Sequence, residues 1–151
     1  MRIALYQPDI PQNTGAAMRL CACMNIGLDI IEPCGFLLDD RKLKRSGMDY
    51  IKDTDVIRHI SWNKFMDCYK GKNRIILLTT KTSEPYTGFT FMPDDILLAG
   101  RESAGVPDDV HKAADAAITI PMPGGGRSLN VVNALSMVTG EALRQTEGFI
   151  G

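Results

Sequence analysis

The chain has 151 residues, with 17 Lys and Arg against 18 Asp and Glu, for a formal net charge of −1. This length predicts one domain spanning residues 1–151, and the near-zero charge excludes a global basic field that would attract nucleic acid. Hydrophobic residues make up 44% of the chain, but no apolar run approaches the ~20 residues that a bilayer span needs. The N-terminal MRIALYQPDIP lacks the apolar region and cleavage site of a signal peptide, so we expect a cytoplasmic protein without a membrane partner.

Strand-like runs alternate with helix-like segments along the chain. Several runs are continuously apolar, which is typical of strands buried on both faces of a parallel sheet. The predicted strands are 2–6, 27–31, 56–60, 74–80, 95–100 and 117–121, and the predicted helices are 14–25, 61–70 and 128–146. This alternation predicts an α/β domain with a mostly parallel sheet flanked by helices.

The first predicted helix contains a single charge in an apolar run. In AAMRLCACM, at 16–24, Arg19 is the charged residue. Such a guanidinium reaches water or meets an anion, and a structural salt bridge and a functional contact explain it equally well. The densest basic cluster, RKLKR at 41–45, is likewise open to two interpretations, a solvated surface or a patch that contacts phosphates.

The last predicted helix has two apolar stripes. One stripe is Val131, Ala134, Leu135, Val138 and Ala142, and the other is Leu129, Val132 and Leu143. A helix that is apolar on two sides is buried on two sides, so one side is expected on the sheet and the other against a partner subunit. Close packing would also explain Gly140, which costs about 1 kcal/mol relative to alanine inside a helix.

Three strand ends carry glycine or small polar residues where open parallel sheets bind ligands. They are LLTTK at 77–81, LLAGRESAGVP at 97–107 and IPMPGGGRSLN at 120–130. The second has Glu102 where a dinucleotide fingerprint needs its middle glycine, and the third lacks the lysine and spacing of a Walker loop. These departures disfavour dinucleotide and nucleoside-triphosphate enzymes.

The histidines and cysteines form no recognisable catalytic or metal-binding set. No convincing Ser-His-Asp triad includes His59 or His111. The four cysteines match no zinc spacing, so we expect no metal. We expect them instead to be small buried hydrophobes in a reducing compartment; they are Cys21, Cys23, Cys34 and Cys68.

Three segments together resemble the sequence motifs of the SPOUT superfamily of RNA methyltransferases. They are PQNTGAAMRL at 11–20, LLAGRESAGVP at 97–107 and ITIPMPGGGRSLNVVNALSMVTGEALRQ at 118–145. Their spacing, the chain length and IIEPCGFLLDDRKLKRSGMDY at 30–50 resemble its minimal single-domain branch. Members of that branch methylate the 2′-oxygen of the cytidine or uridine at the tRNA wobble position, position 34. One glycine motif alone is weak evidence, but the ordered set, with RSLN followed by NA, is specific.

The resemblance implies a C-terminal deep trefoil knot, S-adenosylmethionine as cofactor and tRNA as substrate. The two apolar sides of the last helix predict a homodimer. The resemblance also implies cofactor contacts at Leu78, Thr79, Gly100, Gly105, Ile120, Ser128 and Leu129. The implied catalytic residues are Arg19, Glu102, Ser128 and Asn130, with Asn133 as a second asparagine of the third motif. Because the net charge is near neutral, RNA binding must rely on a local patch, so we expect phosphate contacts from Arg41, Lys42, Lys44 and Arg45 along with Arg19. The glycines at 124–126 are expected in the knot, where they permit positive φ and close backbone approach.

The implied reaction transfers a methyl group from a sulfonium to a ribose 2′-oxygen. A guanidinium with a pKa above ~12 is a poor proton acceptor, so Arg19 is expected to hold a phosphate and stabilise the developing alkoxide. The base is either solvent or another group. Two further functions are compatible with the sequence: methylation of another RNA such as rRNA, or non-catalytic binding of RNA or cofactor. The combination of Arg19, Glu102, Ser128 and Asn130 disfavours the non-catalytic alternative.

Overall fold

The computed structural model describes residues 1–39, 41 and 54–150. The strands are β1 Arg2–Tyr6, β2 Gly27–Ile31, β3 Val56–His59, β4 Ile75–Leu78, β5 Ile96–Ala99 and β6 Ala116–Ile118. The α-helices are α1 Pro11–Met24, α2 Trp62–Tyr69, α3 Asp108–Ala113 and α4 Val131–Gln145, and a 3-10 turn spans Tyr86–Gly88. The helix α3 was not among the predicted elements. The helix α1 begins earlier than predicted, at Pro11. Proline is tolerated there because the backbone N–H groups of a first helical turn have no partner within the helix.

The strands form one sheet in the order β3-β2-β1-β5-β4-β6, and every strand pair is parallel. The predicted α/β class with a parallel sheet is therefore confirmed. The central strands are apolar and buried along their length, as the continuous runs predicted, because both faces of the sheet are covered. All carboxyl ends of the strands consequently lie along one edge of the sheet.

The two faces of the sheet carry separate core clusters. Alternation along β1 sends Ile3 and Leu5 to one cluster and Ala4 and Tyr6 to the other. The helices α1 and α4 supply the first cluster, whereas Phe65 of α2 and Val110 of α3 belong to the second. We call these the α1/α4 face and the α2/α3 face.

The buried strand β2 contains one carboxylate, Asp29, which is fully buried. It accepts hydrogen bonds from Arg2 (2.6 Å) and Tyr69 (2.8 Å) and lies 2.7 Å from a ring nitrogen of His59. His59 is thus a core histidine, only 5% exposed. The partners of Asp29 explain how a charged side chain is accommodated in the sheet.

Only part of the prediction for the last helix is correct. Leu135, Val138 and Ala142 of α4 are buried as predicted. Leu143 is only 4% exposed, because the chain after the helix folds back and the Gly148 N–H donates to the Leu143 carbonyl (2.9 Å). The assignment of Leu143 to a face open to a partner is therefore wrong. Met137, which is 43% exposed, lies on the open side instead.

The cysteines also differ from expectation. Cys21 is buried in α1, but Cys23 and Cys68 are exposed and Cys34 is half-buried. The difference in burial between Cys21 and Cys23 follows from their spacing, since residues two apart on a helix point in different directions. Across the described ranges, no helix is long and apolar enough to cross a membrane.

Candidate active site

A cavity of about 540 Å³ lies at the carboxyl edge of the sheet. Its walls come from the chain that follows β4, β5 and β6, together with the beginnings of α1, α3 and α4. This is where open parallel sheets bind ligands, and the volume falls in the range of small-molecule sites.

The cavity gathers most of the residues singled out in the sequence. All seven of the expected cofactor contacts line it, namely Leu78, Thr79, Gly100, Gly105, Ile120, Ser128 and Leu129. Glu102 and Asn130 also line it. Three sequence motifs that lie far apart in the chain therefore form a single site.

The loop after β5 is held in a tight turn by its own backbone. The N–H of Arg101 donates to the carbonyl of Gly105 (2.9 Å), and the N–H of Gly105 donates back (2.8 Å). Gly105 has a φ of +64°, which favours glycine. At Gly100 a Cβ atom would lie 2.6 Å from the Gly105 backbone. Both glycines of GRESAG are thus required by the shape of the cavity wall.

A chain of hydrogen bonds, which we call the Glu102–Asn13–Asn130 network, joins the three motifs. Glu102 accepts from the Asn13 side chain (3.3 Å) and from the backbone N–H of Asp9 (2.9 Å). Asn130 donates from Nδ2 to Oδ1 of Asn13 (3.1 Å). Each amide therefore satisfies a neighbour on the cavity wall and restrains its orientation.

Asn130 has a second task at the start of α4. Its Oδ1 accepts from the backbone N–H groups of Val132 (2.9 Å) and Asn133 (3.3 Å), as an N-cap residue does. The last helix is thus capped by the same side chain that contacts Asn13. Asn133 itself is exposed.

Asn13 is the site residue that the sequence reasoning missed. It lies in the quoted segment PQNTG, and its polar side chain in the first turn of an apolar helix was the available signal. Its partners are 89 and 117 residues away in the chain, so no local pattern could identify them.

Asp9 extends the polar wall behind Glu102. Its carboxylate accepts a hydrogen bond from Ser103 and lies 3.8 Å from Nε of Arg101. Hydrogen bonding with the side chains of Glu102 and Ser103 lowers the pKa of Asp9 below its usual value. A charged Asp9 therefore holds the 101–103 turn against the chain that follows β1.

The predicted RNA contacts lie elsewhere. Arg19 is exposed on α1 and does not line the cavity. Arg41 is exposed, and its backbone N–H donates to the Asp39 carboxylate (2.9 Å). Lys42, Lys44 and Arg45 lie outside the described residues.

The expectation for the glycines at 124–126 is met only in part among the described residues. Only Gly125 has a positive φ, +77°. A Cβ atom on Gly124 or Gly125 would meet nothing within 4 Å, and one on Gly126 would meet only the Met122 sulfur at 3.8 Å. The close backbone approach occurs at Gly100 instead. In the described part of the chain, no group of three or more His, Cys, Asp or Glu is placed to hold a metal ion.

Comparison with known proteins identifies the family. Residues 1–140 match the model of the SpoU rRNA Methylase family. The chain is 56% identical over 144 residues to the tRNA (cytidine(34)-2′-O)-methyltransferase of Beijerinckia indica subsp. indica, covering 95% of this chain and 90% of the relative. The chain belongs to the SpoU methylase family, as the motifs indicated.

Solved structures agree with this assignment. A structure described as giving insight into the 2-OH methylation of C/U34 on tRNA is 38% identical, with a TM-score of 0.89, and the match covers 95% of this chain and 94% of that chain. The SpoU methyltransferase AviRb from Streptomyces viridochromogenes, in complex with the cofactor AdoMet, has a TM-score of 0.86 at 24% identity. That match covers 96% of this chain and 60% of AviRb, and the likeness to AviRb is one of fold.

Alanine substitutions at Gly100 and Gly124 test whether the 100–105 turn needs a glycine at its start. Gly100→Ala should lower the free energy of unfolding by about 1–3 kcal/mol, since the added methyl group overlaps backbone that cannot move aside. Gly124→Ala, in open space and without a positive φ, should change it by less than about 0.5 kcal/mol. Urea unfolding of both variants measures the difference, and equal stabilities would contradict the account of the 100–105 turn.

Proposed function

We propose that this protein is an S-adenosylmethionine-dependent tRNA methyltransferase that acts on the ribose 2′-hydroxyl of the cytidine or uridine at wobble position 34. We place the reaction in the cytoplasm, in one domain spanning residues 1–151. The observation that best supports the proposal is the single cavity lined by Glu102, Ser128, Asn130 and all of the expected cofactor contacts. The relatives with this name or description match along nearly their whole length.

The cavity suits the proposed cofactor. Leu78, Ile120 and Val138 provide an apolar lining for a nucleoside, and Gly100 lets backbone approach closely. Leu78, Thr79, Gly100, Gly105, Ile120, Ser128 and Leu129 would hold the cofactor. When bound, S-adenosylmethionine supplies an activated methyl group on a sulfonium.

The protein's main task is then to orient the acceptor and stabilise developing charge. Glu102 and Asn130, restrained through Asn13, fix the cavity wall where the ribose would enter. Ser128 offers a hydroxyl on the same wall. Arg19 would hold a phosphate of the RNA and stabilise the 2′-oxygen as it loses its proton, because its guanidinium stays charged.

We also propose a knotted C-terminal part and a homodimer. The knot is supported by the family resemblance and by the pairing of Pro85 with Thr119, which ties the chain after β4 to the chain after β6. The dimer is supported by α4, where Met137 is exposed and a Cβ on Gly140 would meet nothing within 4 Å. Because α1 packs against α4, a partner on this face would lie near α1, and a second copy of Arg19 would be brought to each cavity.

Methylation of a purified substrate tests the proposed activity. The protein, S-adenosylmethionine and tRNA lacking the modification should give a 2′-O-methylated cytidine or uridine at position 34, detected by mass spectrometry of nuclease digests. The same tRNA already methylated at position 34 is the matched control and should accept no methyl group. Methylation of rRNA fragments but not of tRNA would overturn the choice of substrate.

Variants at Arg19 and at Lys42 and Lys44 should separate methyl transfer from tRNA binding. Arg19→Ala should reduce single-turnover methyl transfer by about 10²–10³-fold, the cost of losing one charge-stabilising group, with a smaller loss of tRNA affinity. Changing Lys42 and Lys44 to alanine together should weaken tRNA binding and flatten its salt dependence by up to ~2 in log–log slope. If Arg19→Ala turns over normally with saturating tRNA, Arg19 is not catalytic.

Sedimentation tests the dimer. The protein should sediment as a dimer at micromolar concentration, and Met137→Glu should shift it towards monomer, because a charge in an apolar interface must be desolvated. Lys112→Glu, on the exposed side of α3, is the control and should remain dimeric. A monomeric wild-type protein would rule the dimer out.

A further inference from the structure

Arg101 lines the cavity, but little of its guanidinium group is used by the protein itself. Among the described residues its side chain makes one hydrogen bond, from Nη1 to Oε1 of Gln7 at 3.5 Å. Its Nε is buried 3.8 Å from Oδ2 of Asp9 and has no hydrogen-bond partner in the described part of the chain. An arginine side chain carries five N–H donors, so most of those of Arg101 are left for another acceptor.

Two arginines that pair with buried carboxylates are bound much more closely. Nε and Nη2 of Arg74 donate to the two oxygens of Asp95 at 2.8 and 2.6 Å, and Nε of Arg2 donates to Asp29 at 2.6 Å. Asp9 does not hold Arg101 in this way, and its Oδ2 accepts a hydrogen bond from the Ser103 hydroxyl instead. A purely structural role therefore accounts poorly for Arg101.

The surrounding backbone fixes the place of the Arg101 side chain. Arg101 begins the tight turn after β5, and the next residue, Glu102, is held by Asp9 and Asn13. A Cβ atom on Gly35 would lie 3.7 Å from Nη2 of Arg101 and 2.7 Å from Cβ of Asp9. The guanidinium thus lies beside the cavity, between the chain that follows β1 and the chain that follows β2.

An RNA strand that enters the cavity would need a positive charge at this point. Asp9 and Glu102 place two carboxylates near the wall where the acceptor ribose would enter, and both would repel the phosphates of the strand. The adjacent Arg101 guanidinium stays charged at physiological pH, and the side chain is 33% exposed. Its N–H donors form a fork that fits two oxygens of a phosphate. Arg101 is therefore suited to receive a phosphate attached to that ribose.

We propose that Arg101 binds a phosphate that flanks the acceptor ribose and so holds the ribose against the Glu102–Asn13–Asn130 network. The proposal rests on the proposed function and adds an RNA contact within the cavity, which Arg19 of the same chain does not line. Contacts to phosphates position a nucleic acid without reading its bases. Arg101 therefore contributes to affinity and register, and not to the choice between cytidine and uridine.

Neutralising single phosphates of the tRNA tests the contact by binding alone. The tRNA carries one uncharged methylphosphonate linkage, either before or after nucleotide 34, and 2′-deoxynucleotides at 33 and 34 prevent methyl transfer and cleavage of the linkage. At one of these two positions the neutral linkage should weaken binding to the wild-type protein by about tenfold, the effect of losing a charge-assisted hydrogen bond. Arg101→Ala should weaken binding of the all-phosphate tRNA by a similar factor, and the neutral linkage should cause no further loss in that variant.

The controls separate this contact from damage to the fold and from general charge effects. Arg101→Ala should bind S-adenosylhomocysteine as the wild type does in calorimetry, and Arg101→Lys, which keeps the charge without the fork, should recover part of the tRNA affinity. Lys72→Ala removes an exposed charge before β4, at the opposite edge of the sheet, and should respond to each neutral linkage as the wild type does. A methylphosphonate in the acceptor stem should affect the wild type and Arg101→Ala alike.

The outcomes distinguish the contact from the proposed function. If neither linkage beside nucleotide 34 matters to the wild type, or if the losses from the linkage and from Arg101→Ala add, the contact is wrong while the proposed function stands. If Arg101→Ala loses S-adenosylhomocysteine as well as tRNA, the residue supports the loop, which also overturns the contact. A wild-type protein that binds no tRNA would overturn the proposed function and the contact together.

Discussion

The hydrogen bonds of the Asn130 side chain connect the first and last helices at the site. With its oxygen it caps the last helix, and with its nitrogen it contacts Asn13 at the start of the first helix. Asn13 in turn donates to Glu102 in the loop after β5. An asparagine is suited to this position because its amide is an acceptor and a donor at once. An aspartate would keep the cap but lose the donor to Asn13.

The parallel sheet determines where that network lies. With every strand pair parallel, the chain leaves β1, β4, β5 and β6 at one edge, and the loops after these strands meet there. Helices cover both faces, and the cavity lies at this edge between their ends. Its walls carry the amides and the carboxylate of the network beside apolar residues such as Leu78 and Ile120.

Sequence alone predicts the sheet well, because continuous apolar runs such as IILL and ILLA allow few alternatives to buried parallel strands. The residues lining the cavity follow from a family resemblance, since no local rule selects Leu78 or Ile120. Contacts between segments that are distant in the chain cannot be predicted from the sequence alone. The role of Asn13 depends on partners far along the chain, and Leu143 is covered by a turn that forms only after the helix ends. The glycines at 124–126 show the converse, because this conspicuous pattern makes no close backbone approach to any described residue, and only Gly125 has a positive φ.

A crystal structure of the protein with S-adenosylhomocysteine tests the central claim most directly, namely that the cavity at the carboxyl edge of the sheet holds the methyl donor. The account predicts the nucleoside against Leu78, Gly100 and Ile120, and the sulfur towards Asn130. It also predicts that the Glu102–Asn13–Asn130 hydrogen bonds are retained. Ligand bound outside this cavity, or bound within it only after those hydrogen bonds have broken, would contradict the account.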